Sequence, residues 1–231
     1  MIEQLLLRGD GLDGLRIALA SISLSASVAY MVFVSGGFSP SRAVLKTVVF
    51  AVLALLPLTY LPALPTQTYG LVLLAAALGL SSLGDLFLAL ENERKYFTLG
   101  LASFLLGHVA YLLAFLPEAH VPGVAVVVLI ALLVGAAGFL LRTLWPHLGK
   151  LRLPVLAYFT VIMSMVGVSL CVTSATWMLG AGAVSFAVSD SLIAVRKFLR
   201  PFHGIDGAVW VTYVVAQFLL CFAILDFTLN R

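Results

Sequence analysis

The sequence is short of charge. Only 10% of its 231 residues are Asp, Glu, Lys or Arg, while 62% are hydrophobic. A water-soluble domain carries about 25% charged residues. Too few polar side chains are present to cover a globular surface, which places the chain in a lipid bilayer. Cysteine is scarce too: Cys171 and Cys221 both lie in apolar stretches, which speaks against a disulfide framework and reads as small hydrophobes in helix packing. No cluster of Cys and His has zinc spacing. No Gly-rich run resembles a P-loop or a dinucleotide fingerprint, and "HGIDG" (203–207) reads only as a turn. "GVSLC" (167–171) is close to a nucleophile elbow, but it lies in an apolar segment and lacks the final Gly. The net charge of +3 is no sign of nucleic-acid binding, because the basic residues sit in connectors.

Long hydrophobic runs dominate instead. Eight segments are long enough to cross a bilayer: about 15–35, 43–62, 69–90, 97–116, 121–141, 153–172, 177–195 and 207–229. The expectation is an all-α polytopic bundle of eight transmembrane helices, forming a single integral membrane domain over 1–231. The first segment is too long for a signal-peptide core. Glu3, Asp10 and Asp13 precede it, where a signal peptide would be basic, so it reads as a retained helix.

Charge placement gives an orientation. Arg42, Lys46, Arg94, Lys95, Arg142, Lys150, Arg152, Arg196, Lys197 and Arg200 cluster around the connectors after the first, third, fifth and seventh spans. The other basic residues are Arg8, Arg16 and Arg231. The positive-inside rule makes the basic side cytoplasmic and both termini non-cytoplasmic. The compact loops suggest a bacterial inner membrane. Asp85 and Asp190 also recur in similar settings, each with an alanine four residues on. His108 follows Asp85, and Tyr213 follows Asp190, at an equal spacing of 23. A 4+4 parallel duplication would explain this.

Asp85 in "SSLGDLFLAL" and Asp190 in "FAVSDSLIAV" are carboxylates within apolar runs. Each insertion costs about 2.5–3.5 kcal/mol on insertion scales, so such groups face a bundle interior or a wet cavity. Both are expected roughly 8 Å below the cytoplasmic end of their span, at matched depth. The plain alternative is a structural pairing with a lysine, for which Lys46 is available, or the capping of a neighbouring helix. Ser81 and Ser82 share the face of Asp85, Ser189 adjoins Asp190, His108 shares a face with Tyr111, and Tyr213 shares one with Gln217. Tyr158 lies in the sixth span. Each of these also fits an ordinary interhelical hydrogen bond of about 0.6 kcal/mol, and His108 fits a core position near mid-membrane. His203 and Asp206 read as a solvated loop, with Asp206 near a helix N-terminus.

The order and spacing of "LGDLFLAL", "LLGHVAYLLAF", "GAVSFAVSDSLIAV" and "TYVVAQFLL", with Lys46 and "AYFTVIMSM" (157–165), resembles the YhhN family of lysoplasmalogenase-like membrane proteins. The family often places Pro directly after its Lys, whereas Thr47 stands here. The resemblance implies an eight-helix hydrolase that cleaves the vinyl ether of lysoplasmalogens to a fatty aldehyde and glycerophosphoethanolamine or glycerophosphocholine. It also implies a site of Asp85 and Asp190 with Lys46, His108, Tyr158, Tyr213 and Gln217 around them.

The chemistry suits two carboxyls. Vinyl ethers resist base and yield to acid through an oxocarbenium ion. One carboxyl can donate the proton while the other stabilises the cation and activates water, as in glycosidases. No metal or organic cofactor is required. Lys46 would either hold the lipid phosphate or keep one aspartate ionised. The substrate would be a lysophospholipid taken sideways from the cytoplasmic leaflet. The rival reading is a proton-coupled transporter of small molecules or lipids using the same aspartates. A third is a structural or partner-binding membrane protein.

Overall fold

A computed structural model describes residues 2–35, 39–63, 65–90, 93–173 and 176–230. Arg231, counted above with the non-cytoplasmic charges, lies outside the described residues. A short helix α1 (Ile2–Leu6) precedes α2 (Asp13–Tyr30), α3 (Pro40–Leu53), α4 (Thr68–Ala89) and α5 (Glu93–Phe115). These are followed by α6 (Val124–Leu144), α7 (Arg152–Ser169), α8 (Trp177–Phe198) and α9 (Ile205–Leu229). With their short 3-10 extensions, α2 to α9 supply eight helices long and apolar enough to cross a membrane. In lipid a helix satisfies its own backbone polar groups, which is why apolar length alone locates these elements.

Most boundaries shift by a few residues from the hydropathy reading, and two of the shifts bear on the site. α8 runs on to Phe198 and carries Arg196 and Lys197 in its last turn, where cations meet the negative end of the helix dipole. Asp190 therefore lies about two turns from the end of α8 while Asp85 lies about one turn from that of α4, so matched depth does not hold when counted from helix ends. α9 begins at Ile205, two residues before the expected segment, so Gly207 of the "HGIDG" run is helical rather than part of the turn. The turn is made by Gly204, whose φ of +83° suits glycine.

α9 is the axis of the bundle. In its apolar window 56% of residues are buried, against none in α6. α9 packs tightly on α8, and α4 packs tightly on α5. Small residues permit both approaches, as expected where lipid gives no hydrophobic drive to helix association. A Cβ on Gly84 would stand 2.6 Å from the Phe104 ring, and one on Gly182 would stand 3.0 Å from the Leu220 backbone nitrogen. Interhelical hydrogen bonds complete the frame. Ser23 donates to the Val49 carbonyl at 2.7 Å, Ser82 to that of Thr47 at 2.7 Å, and Trp210 to that of Ser27 at 2.9 Å.

The end opposite the basic connectors is pinned by Arg16, which is fully buried. Its guanidinium donates to Asp10 at 2.6 Å and to the Thr59 carbonyl at 3.2 Å, and lies 4.1 Å from the Tyr60 ring centroid. Tyr60 in turn donates to the Leu5 carbonyl at 2.7 Å, tying α1 down. The hydrogen bond from Arg16 holds the Asp10 carboxyl below its ordinary range. A carboxyl lowered in this way contributes stability above its unfolded pKa and loses it as pH falls through the folded value. The contribution of the Asp10–Arg16 pair therefore fades in acid.

The helix contacts generate a stability prediction. Gly182→Ala sets a methyl against backbone that cannot yield, an overpacking cost of about 1–3 kcal/mol. Gly207→Ala meets nothing within 4 Å. In detergent, thermal unfolding should shift down by a few degrees for the first and hold or rise for the second.

Candidate functional site

The two aspartates come from α4 and α8, and each is met by side chains of several helices. Asp85 is 1% exposed, and its Oδ1 lies 2.9 Å from Lys46 Nζ on α3. Its Oδ2 accepts from the Tyr213 hydroxyl of α9 at 2.8 Å. Tyr213 accepts from Gln217 Nε2 at 3.1 Å, and Gln217 Oε1 accepts from the Tyr111 hydroxyl of α5. One continuous hydrogen-bonded chain thus runs from Tyr111 to Lys46 through a buried carboxylate.

Asp190 has a different setting. The Tyr158 hydroxyl of α7 donates to its Oδ2 at 2.6 Å. His108 Nε2 of α5 lies 3.5 Å from the same oxygen. His108 Nδ1 is 2.6 Å from the Phe104 carbonyl, which can only accept, so Nδ1 carries a hydrogen. In the neutral ring Nε2 is then a bare lone pair, and it has no other hydrogen-bond partner. Asp85 is thus matched with a lysine, whereas Asp190 is matched with a phenol and an imidazole.

The equal spacing noted in the sequence has a spatial counterpart. Tyr213, 23 residues after Asp190, bonds Asp85, and His108, 23 residues after Asp85, faces Asp190. The partners are exchanged between the α4–α5 and α8–α9 pairs.

Phe104 and Phe186 stand in the middle of the site. Phe186 meets His108 edge-on at 4.4 Å between centroids and Tyr213 at 5.3 Å. Phe104 meets Tyr213 at 5.8 Å. Both phenylalanines looked like ordinary span residues in the sequence. Gly84 makes room for the Phe104 ring, and that small residue was the available signal.

Two cavities share Asp190 in their walls. A polar one of about 570 Å³ is lined by Arg42, Lys46, Asp85, Asp190, Arg196 and Asp206, among others. An apolar one of about 830 Å³ lies between α5, α6, α7 and α8, walled by residues such as Leu101, Leu140 and Ile162. Asp190, Leu88, Phe104 and Ile193 line both. Tyr158 lines the apolar cavity and Tyr213 the polar one.

Of the residues singled out from sequence, Lys46, Asp85, Tyr213, Gln217 and Tyr111 form one network, and Asp190, Tyr158 and His108 form the other. Ser189 joins neither: its hydroxyl donates to the Val209 carbonyl at 3.0 Å and ties α8 to α9. Asp206 is more than a solvated loop residue, since Arg196 Nη1 donates to its Oδ1 and both line the polar cavity. His203 is exposed. Cys171 and Cys221 are free thiols.

The geometry makes a double-mutant test. Lys46→Met leaves Asp85 buried without its cation, which for a broken buried pair costs about 3–5 kcal/mol. Lys46→Met with Asp85→Asn removes both charges and should recover most of that loss. Thermal unfolding in detergent reads the cycle. Equal damage in the single and double variants would mean that Lys46 stabilises the fold by another route.

Comparisons with known proteins identify the family. The model of the YhhN family matches residues 41–224, and the chain belongs to that family. It is 36% identical over 152 residues to a protein named lysoplasmalogenase from Mycobacterium bovis (strain ATCC BAA-935 / AF2122/97), and equally to one so named from Mycobacterium tuberculosis (strain CDC 1551 / Oshkosh). Those matches cover 64% of this chain and 58% of each relative. It is 33% identical over 150 residues to the Homo sapiens protein named lysoplasmalogenase TMEM86B, covering 64% of this chain and 61% of that one. The chain thus aligns with less than two thirds of the length of these relatives. No solved structure matches it.

Proposed function

We propose that this member of the YhhN family is an intramembrane hydrolase of lysoplasmalogens, cleaving the vinyl ether with water to a fatty aldehyde and a glycerophospho-base. The observation that carries this reading is the position of Asp190 where a polar cavity meets an apolar one. A lysolipid has the same division, and its vinyl ether lies at the join between headgroup and tail. The names of the mycobacterial and human relatives support it, and they lend the transporter reading no support.

The two environments divide the labour. Asp85, held 2.9 Å from Lys46, is the ionised partner. Asp190 is the acid. The lone pair of His108 Nε2, 3.5 Å from Asp190 Oδ2, is favourably placed only when a proton lies between them, so the couple holds one proton. Asp190 gives it to the outer vinyl carbon, leaving an oxocarbenium ion that the Asp85 carboxylate stabilises across the polar cavity. Water adds to the cationic carbon and loses its proton to Asp85. The hemiacetal hydroxyl then returns a proton to Asp190, while Asp85 passes its own to the departing glycerol oxygen. One water is consumed and both aspartates are restored. The chain from Tyr213 through Gln217 to Tyr111 orients Asp85, and Tyr158 orients Asp190.

Lys46 acts through Asp85 rather than on the lipid phosphate. The basic end of the bundle faces the cytosol of a bacterial cell, and the lipid comes from that leaflet.

Purified protein in detergent, given 1-alkenyl lysophospholipid, should release aldehyde. Asp190→Asn and Asp85→Asn should each lose at least about a hundredfold in kcat, the first with unfolding temperature and lipid binding retained, the second with some loss of stability because Lys46 is left unpaired. Wild-type rates in both would end the two-carboxyl mechanism. Lys46→Ala should lower kcat more than it raises KM; a pure KM effect would instead make Lys46 a phosphate ligand. Orientation is tested separately, with His203→Cys as the sole thiol. An impermeant maleimide should label it only after the membrane is opened.

A further inference from the structure

The polar cavity holds more charge than the proton transfer uses. Lys46 is committed to Asp85. Arg42 spends Nε and Nη2 on the Phe33 and Val34 carbonyls, at 3.1 and 3.3 Å. Beside them stand Arg196 on α8 and Asp206 in the first turn of α9. They are paired through Arg196 Nη1 and Asp206 Oδ1, both line the cavity, and their side chains remain 38% and 33% exposed. The guanidinium keeps further N–H donors and the carboxylate keeps a second oxygen, so the pair presents a positive and a negative group side by side at the mouth of the cavity.

We propose that Arg196 and Asp206 form a headgroup subsite for a zwitterionic lysolipid, Arg196 taking the phosphodiester and Asp206 the ammonium beyond it. The inference rests on the lipid-hydrolase reading of the same site and adds a selectivity to it. Three observations converge. The pair opens on the polar cavity rather than on bulk solvent alone. The apolar cavity that would take the tail meets this one at Asp190. A guanidinium beside a carboxylate complements a phosphate beside an amine, and guanidinium is the preferred partner of phosphate oxygens. With Arg196 alone, any phosphate would serve. Asp206 disfavours a headgroup that is purely anionic and favours one that ends in a cation.

The test is binding, so that it stands even if no substrate is turned over. Saturated ether lysolipids, which have no vinyl bond to cleave, are titrated into protein in a maltoside detergent. One carries phosphocholine, one phosphoethanolamine and one a bare phosphate monoester. Wild type should bind the first two more tightly than the third. Arg196→Gln should weaken all three by about tenfold or more, the loss expected for one charge-assisted contact. Asp206→Asn should weaken only the ammonium-bearing two and so abolish or reverse the preference. The exchanged pair, Arg196→Asp with Asp206→Arg, separates recognition from architecture. It rebuilds the ion pair with its polarity reversed, and should recover unfolding temperature without recovering headgroup preference. If it restores wild-type preference, or if Asp206→Asn changes all three affinities alike, the pair is a structural clasp and the proposal is wrong. Failure of the hydrolase reading would look different: no aldehyde in the turnover assay, whatever the headgroup ranking.

Discussion

A carboxylate inside a bilayer must be matched or it will not stay, and the Asp85–Lys46 pair is where this chain meets that demand. Desolvating both charges is costly, and their attraction repays it only with good geometry and further hydrogen bonds. The Tyr213 hydroxyl on the other carboxylate oxygen supplies such a bond, and Gln217 and Tyr111 fix that tyrosine in turn. The site thus binds α3, α4, α5 and α9 together through polar contacts, in a medium where apolar faces give no net pull between helices. The same groups that hold the aspartate hold the bundle.

Asp190 is held by a different rule. Its partners are neutral donors and acceptors, and it stands where two cavities meet rather than in the packed centre. Two acids of one residue type are thereby given unlike surroundings, the condition under which paired carboxyls divide acid from base elsewhere. The exchange of partners between the α4–α5 and α8–α9 pairs makes the unlikeness plain. At the same spacing of 23 residues one aspartate is followed by a histidine and the other by a tyrosine.

The spans were legible in the sequence because bilayer thickness turns composition into length. All eight segments have a helical counterpart in the structure, with ends shifted by a few residues, and one shift reaches the site, where α8 continues past its apolar part to carry Arg196. Asp85 and Asp190 were legible because an acid in an apolar run is conspicuous. Their partners were harder. Tyr213 lies 128 positions from Asp85, and no local periodicity links them; only the repeated spacing to His108 hinted at a common frame. Arg196 and Asp206 were read as orientation and loop charges because a sequence shows that a residue is near the membrane surface, not which cavity opens beside it. Phe104 and Phe186 were hidden among other apolar residues, since a ring lining a site and a ring facing lipid look alike in one dimension.

α6 has the most hydrophobic window of the eight spans yet buries none of it, and it forms the outer wall of the apolar cavity. A wall so lightly attached to its neighbours separates the tail compartment from surrounding lipid by a single layer. On the proposed reaction, the oily aldehyde then drains directly into the bilayer while the charged fragment departs to water past Arg196. Each product is diluted into the phase that dissolves it, and neither lingers to inhibit the next turnover or to drive the reaction backward.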